Sequence, residues 1–287
     1  MEPSYGTYSW FEKSFSAAQE DPWLNNWRGI ETCRYEIVEN IVKVLIEHEI
    51  PGGNKISMLD IGCSTGHFTN VLSKTCENIV GIDISDTAIE IAREKYPKID
   101  FRSADFQKIG LPENTFRIAV CMEVLYYIED ESKADFIEKI SKVLVDGGYF
   151  ILTTLLGEKP YFTDDGIMKI VSDKFIITDI IYYGSKTYSN IEKYFFKIYS
   201  RSVKLEHLIK GDSDSGIEDP QKIKGIERYL GLMKRLKMMT AVLKVNSCIE
   251  AVAKMIMHLR FPAAIMNRVA DRCRLDRTHI ILVARKR

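Results

Sequence analysis

Leu59-Asp60-Ile61-Gly62-Cys63-Ser64-Thr65-Gly66-His67-Phe68-Thr69 decides the fold. It reads as the end of an apolar strand that starts at Lys55, then a turn carrying Gly62 and Gly66. A helix follows from His67 to Thr75 with Phe68, Val71 and Leu72 on one face. Glycine accepts positive φ and lets another group lie against the backbone. A helix N-terminus behind such a turn offers N–H groups to an anion. Gly62, Cys63, Ser64, Gly66 and Phe68 are therefore candidate ligand-binding positions. Asp60, at the strand end, is a candidate partner for an ammonium. The G-x-G-x-x-G fingerprint of dinucleotide enzymes is missing, since Ser64 stands where its second glycine would be.

The pattern continues outward from this turn. Asn78–Asp83, Ile99–Ser103, Phe116–Met122 and Tyr149–Leu155 read as buried strands. Ser85 caps a helix that runs to Tyr96 and stops at Pro97. A second helix spans Glu131–Leu144, with Phe136, Ile137, Ile140 and Val143 on one stripe and Gly147-Gly148 as its stop. Strands alternating with helices predict a parallel sheet with crossover connections. Thr163–Val171 reads as a short helix, and Phe175–Tyr183 and His279–Ala284 as the last two strands. Between those two strands lie four expected helices, near 188–209, 221–243, 246–259 and 262–273. The expected fold is α/β: a Rossmann-like, doubly wound, mostly parallel seven-stranded sheet with an antiparallel last strand and a helical insertion before it. The core would take residues 56–184 and 277–287, with 185–276 as an acceptor lid. Residues 1–55, with a helix near Glu31–Glu49 and aromatics including Tyr5, Trp10, Phe11 and Phe15, would form a helical cover.

Three further carboxylates sit where such a sheet places ligands, at the carboxyl ends of strands. Asp83 ends the second strand, twenty-one residues after Gly62. An acid there accepts hydrogen bonds from a ribose diol. Asp105 follows the third strand beside Phe106; the carboxylate suits an exocyclic amine, and Phe106 or Ile84 suits the face of the base. Glu123 ends the fourth strand and is followed by Tyr126 and Tyr127. Glu123 is the candidate proton acceptor, and the two tyrosines are candidates for orienting an acceptor.

The order and spacing of these motifs over residues 56–155 resemble class I S-adenosylmethionine-dependent methyltransferases. Two stretches resemble, more narrowly, the nodulation-type N-methyltransferases, which methylate the free amine of a chitin-oligosaccharide. They are Asp21-Pro22-Trp23 with Glu31-Thr32-Cys33-Arg34-Tyr35, and Glu123–Asp130. The chain departs from that family in the five residues Leu24–Arg28 and in its far larger insertion. The resemblance implies S-adenosyl-L-methionine as cofactor, S-adenosyl-L-homocysteine as product and no metal. It also implies that Trp23, Arg34 and Tyr35 cover the cofactor. The expected reaction is methyl transfer to an amine of an amino-sugar or small molecule. Transfer to a glycan or natural-product hydroxyl is the alternative, and an RNA acceptor ranks below both.

Composition narrows the classes further. The chain has 287 residues, 46% hydrophobic and 28% charged, as in an ordinary globular protein. Residues 1–220 hold 24 Lys/Arg against 36 Asp/Glu, net −12, and residues 221–287 hold 16 against 4, net +12. The basic stretch fits internal charge compensation or a peripheral contact with an anionic surface. It carries only Tyr229 and Phe261 as aromatics, which argues against base stacking and a nucleic-acid partner. Six cysteines without a C-x-x-C pair predict neither zinc nor a disulfide framework, and a cytoplasmic setting. No stretch reaches the roughly 18 apolar residues of a membrane span.

Overall fold

The computed structural model describes residues 3–18, 22, 29–49, 56–186, 190, 193–195, 197–198, 247–249, 251–252, 255 and 277–287. Seven strands form one sheet: β1 (Ser57–Ile61), β2 (Asn78–Asp83), β3 (Asp100–Ser103), β4 (Phe116–Met122), β5 (Leu144–Leu155), β6 (Phe175–Ser185) and β7 (Arg277–Lys286). Their order is β3-β2-β1-β4-β5-β7-β6. β1 to β5 pair in parallel, and β7 runs antiparallel to both β5 and β6. The last strand in sequence thus lies inside the sheet and leaves β6 at the edge.

The helices are α1 (Tyr8–Ala18), α2 (Gly29–Val44), α3 (His67–Leu72), α4 (Asp86–Lys95), α5 (Lys133–Val143) and α6 (Asp164–Ser172). Strand residues alternate between two cores, as the two-residue pleat requires. Leu59, Ile61, Ala119, Cys121, Phe150 and Leu152 face α5 and α6. Met58, Ile118, Val120 and Ile151 face α2 and α3. Both faces are covered, which is why the strands read as continuous apolar runs.

The boundary between α5 and β5 differs from expectation. Gly147-Gly148 is not a helix stop. α5 ends at Val143 and β5 starts at once with Leu144. The pairing then slips from Phe116↔Leu144 to Ile118↔Tyr149, so the glycines sit in a bulge, with Gly147 at φ +66°. A Cβ on Gly148 would lie 2.8 Å from the Val145 carbonyl oxygen. The expected insertion helices lie almost wholly outside the described residues. Among the described residues, no helix is long and apolar enough to cross a membrane.

β1 pairs with β2 on one side and β4 on the other, through Asp60↔Gly81 and Asp60↔Val120. The chain leaves β1 toward β2 and β3, then returns across β1 to β4. The connections depart in opposite directions, which opens a crevice at the carboxyl ends of β1 and β4.

Ile140 is fully buried between α5 and the sheet, whereas Ile176 on the edge strand is 55% exposed. Ile140→Ala is expected to lower unfolding free energy by about 2–5 kcal/mol, and Ile176→Ala by less than about 0.5 kcal/mol. Urea unfolding of the two variants checks this; equal losses would contradict the assigned core.

Candidate active site

A cleft of about 650 Å³ opens at this switch point and brings together residues from the ends of β1, β2, β3 and β4, with α1 and α2 as its cover. Asp60, Gly62, Cys63, Ser64, Phe68, Asp83, Ile84, Asp105, Phe106, Glu123, Tyr126, Tyr127, Arg34 and Tyr35 all line it. Gly66 sits just behind the lining. Trp23 lies outside the described residues.

The turn after β1 is built by left-handed backbone at Gly62 (φ +79°), Ser64 (φ +51°) and Gly66 (φ +76°). The glycines take the expected positive φ and also admit side chains against the backbone. A Cβ on Gly62 would lie 2.1 Å from Val124 Cγ2, and one on Gly66 would lie 2.5 Å from Phe101 Cζ. They permit tight packing under the turn as well as the turn itself. Within the turn itself four N–H groups are occupied, while the N-terminus of α3 carries no side-chain cap. Gly62 and Cys63 donate to the Ile82 carbonyl, Gly66 donates to that of Cys63, and Ser64 N–H donates to Asp83 Oδ2 at 2.8 Å. The Cys63 thiol points away into Ile89, Ala92 and Phe101, and burial pushes its pKa well up.

Asp83 joins the two loops. It accepts from Ser64 N–H and, at 3.0 Å, from Ser85 N–H. Burial pushes its pKa up and the backbone donors pull it down. Ser85 caps α4 by accepting from Ala88 N–H and donates to Glu12 Oε1 of α1 at 2.5 Å. Thr87 Oγ1 donates to Glu12 Oε2, and Tyr8 OH donates to Asp86 Oδ2. These bonds dock α1 beside Asp83, so Trp10, Phe11 and Phe15 reach the cleft. Their cluster before the first strand was the visible signal; nothing in the sequence paired Glu12 with α4.

Asp105 is more engaged than expected. Its Oδ1 accepts from Gln107 N–H, and its Oδ2 pairs with Lys108 at 3.0 Å. Phe106 is mostly buried, edge-on to Phe136 at 5.0 Å, so Ile84 is the better placed of the two apolar candidates. Tyr35 stacks on Phe68, centroids 4.7 Å apart. Tyr126 and Tyr127 are in mutual contact at 4.5 Å. Tyr127 also meets Tyr5 and Phe11, and Tyr126 meets Tyr161.

The floor of the cleft is a charged cluster that joins two expected residues, Arg34 and Glu123, to Glu31. Glu123 holds φ +58°, which is uncommon for a non-glycine residue and costs backbone energy. Its Oε1 accepts from Thr153 Oγ1 at 2.9 Å and from Tyr183 OH at 3.4 Å, and lies 3.3 Å from Arg34 Nη1. Arg34 Nη2 lies 2.6 Å from Glu31 Oε2. Among the described residues, Glu123 Oε2 is buried with no hydrogen-bond partner. Burial raises the Glu123 pKa, and Arg34 lowers it again. Glu31 and Tyr183 went unrecognised because one lies before the sheet and the other on a distant strand. No group of three potential ligands is spaced to hold a metal among the described residues.

Asp60 is 2% exposed and accepts from Thr69 Oγ1 at 2.6 Å, tying β1 to α3. Burial raises its pKa to about 6, and Thr69 opposes the shift. An acid with a raised native pKa stabilises the fold below its unfolded value and loses that contribution as pH rises through the folded one. The ligand-free protein should therefore weaken between about pH 4 and 6 through this group, by roughly 3 kcal/mol or less. Asp60→Asn should raise the melting temperature at pH 7.5 and leave it nearly unchanged at pH 4. A variant no more stable at pH 7.5 would contradict the burial cost.

A family model described as a methyltransferase domain matches residues 59–152. Nodulation protein S of Bradyrhizobium diazoefficiens is 31% identical over 116 residues, 39% of this chain and 52% of that protein. The chain thus spans about half the length of that curated relative. The crystal structure of N-methyltransferase NodS from Bradyrhizobium japonicum WM9 with S-adenosyl-l-homocysteine is 22% identical, with TM-score 0.50. That likeness covers 60% of this chain and 90% of that one. The [4+2]-cyclase SpnF is 16% identical with TM-score 0.55, over 99% of this chain and 97% of that one. At these identities the structural likenesses establish the fold. Residues 59–152 thus match a methyltransferase domain, set in a seven-stranded α/β sheet with a cleft at its switch point.

Proposed function

We propose that the chain moves a methyl group from S-adenosylmethionine to an amine of an amino-sugar or small molecule. The reading rests most on the Glu123 carboxylate, buried at the carboxyl end of β4 with Oε2 unpartnered among the described residues.

The lining suits the cofactor. Asp83 keeps lone pairs beyond those given to Ser64 and Ser85, enough to accept from a ribose diol. Asp60 offers a buried carboxylate to an ammonium, and Ile84 an apolar wall. Arg34 meets Glu123 rather than lying over this end, and Tyr35 backs Phe68. When bound, the cofactor supplies the electrophilic methyl group. The protein's part is to align the acceptor in line, exclude water and take a proton from the amine. Glu123 takes that proton on Oε2, while Tyr126 and Tyr127 hold the body of the acceptor.

The full-length likeness to a cyclase makes methyl transfer itself the quantity to measure. Calorimetry with S-adenosylmethionine, S-adenosylhomocysteine and NAD should show binding of the first two and none of the third. Asp83→Asn should weaken cofactor binding by about 1–3 kcal/mol. A screen with tritiated methyl donor should label amines in preference to hydroxyl compounds, and Glu123→Gln should lower that rate at least about tenfold. Labelling confined to hydroxyls would favour O-methylation. Binding of NAD alone would end the methyltransferase reading.

A further inference from the structure

Glu31 and Glu123 share a single arginine. Arg34, 4% exposed, spans the two carboxylates from 2.6 Å and 3.3 Å. With both acids ionised, the unit carries one net negative charge inside a largely apolar cleft. A buried unbalanced charge is costly unless a counter-charge or donor arrives. Glu123 Oε1 is already saturated by Thr153, Tyr183 and Arg34, so the surplus is expressed at Oε2. The left-handed backbone at residue 123 aims the side chain back toward Thr153 and Arg34 rather than along the strand. Around this point Tyr126, Tyr127 and Tyr161 supply ring faces and edges.

We propose that Glu31, Arg34 and Glu123 act as one charge-selecting unit that admits the acceptor as an ammonium and rejects the neutral hydroxyl analogue, with Arg34 as a positioning residue. This rests on the methyltransferase reading and narrows its acceptor to amines that are protonated in solution. The ammonium neutralises the unit on entry. It passes one proton to Glu123 Oε2, leaving a neutral amine. The amine lone pair forms the new C–N bond as the C–S bond breaks and its electron pair stays on sulfur. The product leaves as the methylated ammonium, and Glu123 returns its proton to water. The discriminating groups, Glu31 on α2 and Glu123 just after β4, act on each other through Arg34, so selection is by charge rather than by shape.

The test uses the full chain saturated with S-adenosylhomocysteine, with hexylammonium and hexanol as probes. Hexylammonium should raise the melting temperature and bind by calorimetry, and hexanol should bind at least about tenfold more weakly. Glu123→Gln should abolish the preference. Glu31→Gln, which removes the surplus charge while leaving Oε2 in place, should reduce it severalfold. Arg34→Gln should leave the two acids to share a proton, so hexylammonium binding sets in at a higher pH than in the wild type; Arg34→Lys should return it toward the original pH. The groups facing Glu123 in that titration are Arg34 and Glu31 from α2, Thr153 from β5, Tyr183 from β6, and Tyr126, Tyr127 and Tyr161 along the cleft. Equal affinity for the two probes, no binding of either, or a preference that survives Glu123→Gln would each overturn the proposal. Failure of S-adenosylhomocysteine to bind would instead strike the methyltransferase reading beneath it.

Discussion

The structure depends on the parallel pairing of β1 with neighbours on both sides. Because β2 and β4 each run alongside β1, the two connections must leave the sheet in opposite directions. That single constraint produces the cleft. It also forces the carboxylates of Asp60, Asp83 and Glu123 into one volume, though they are far apart in sequence. Asp83 then stitches two of the three loops together through Ser64 and Ser85, so the shape of the cofactor end is held by a side chain that also belongs to the binding surface.

How much of this was readable from residues alone follows from what local sequence controls. β2 and β4 were read with their observed limits, and Ser85 was read as the cap it is, because apolar runs and hydroxyl caps act within a few residues. Gly147-Gly148 was misread for the same reason. A glycine pair after an apolar stripe has the same local appearance whether it ends a helix or relieves a bulge, and only the pairing with β4 decides. Asp83 and Glu123 could be placed because each ends a strand. The groups around them could not: Tyr183 reaches Glu123 directly, Glu31 reaches it through Arg34, and Glu12 docks beside Asp83 through Ser85, all by tertiary packing that leaves no periodic trace.

Three buried acids line the cleft, with Arg34 as a buried counter-charge. Desolvation pushes the carboxyls of Asp60, Asp83 and Glu123 in the same direction, and each is brought back by a different partner: a threonine hydroxyl, backbone N–H groups and a guanidinium. Three acids of one type thereby become chemically unlike. Under the proposed function, that difference lets one end hold a ligand while the other accepts a proton.

The placement of β7 between β5 and β6 has a consequence for assembly. Thr153 pairs with Ile281 and Ile180 with Leu282, so both neighbours wait for a segment made about a hundred residues later. Joining such distant segments carries a loop-closure entropy that local helices never meet. Until residues 277–286 arrive on the ribosome, β5 presents an open hydrogen-bonding edge and β6 has no sheet to join. The floor of the cleft, which takes Tyr183 from β6, thus depends on a strand that joins the sheet only through β7.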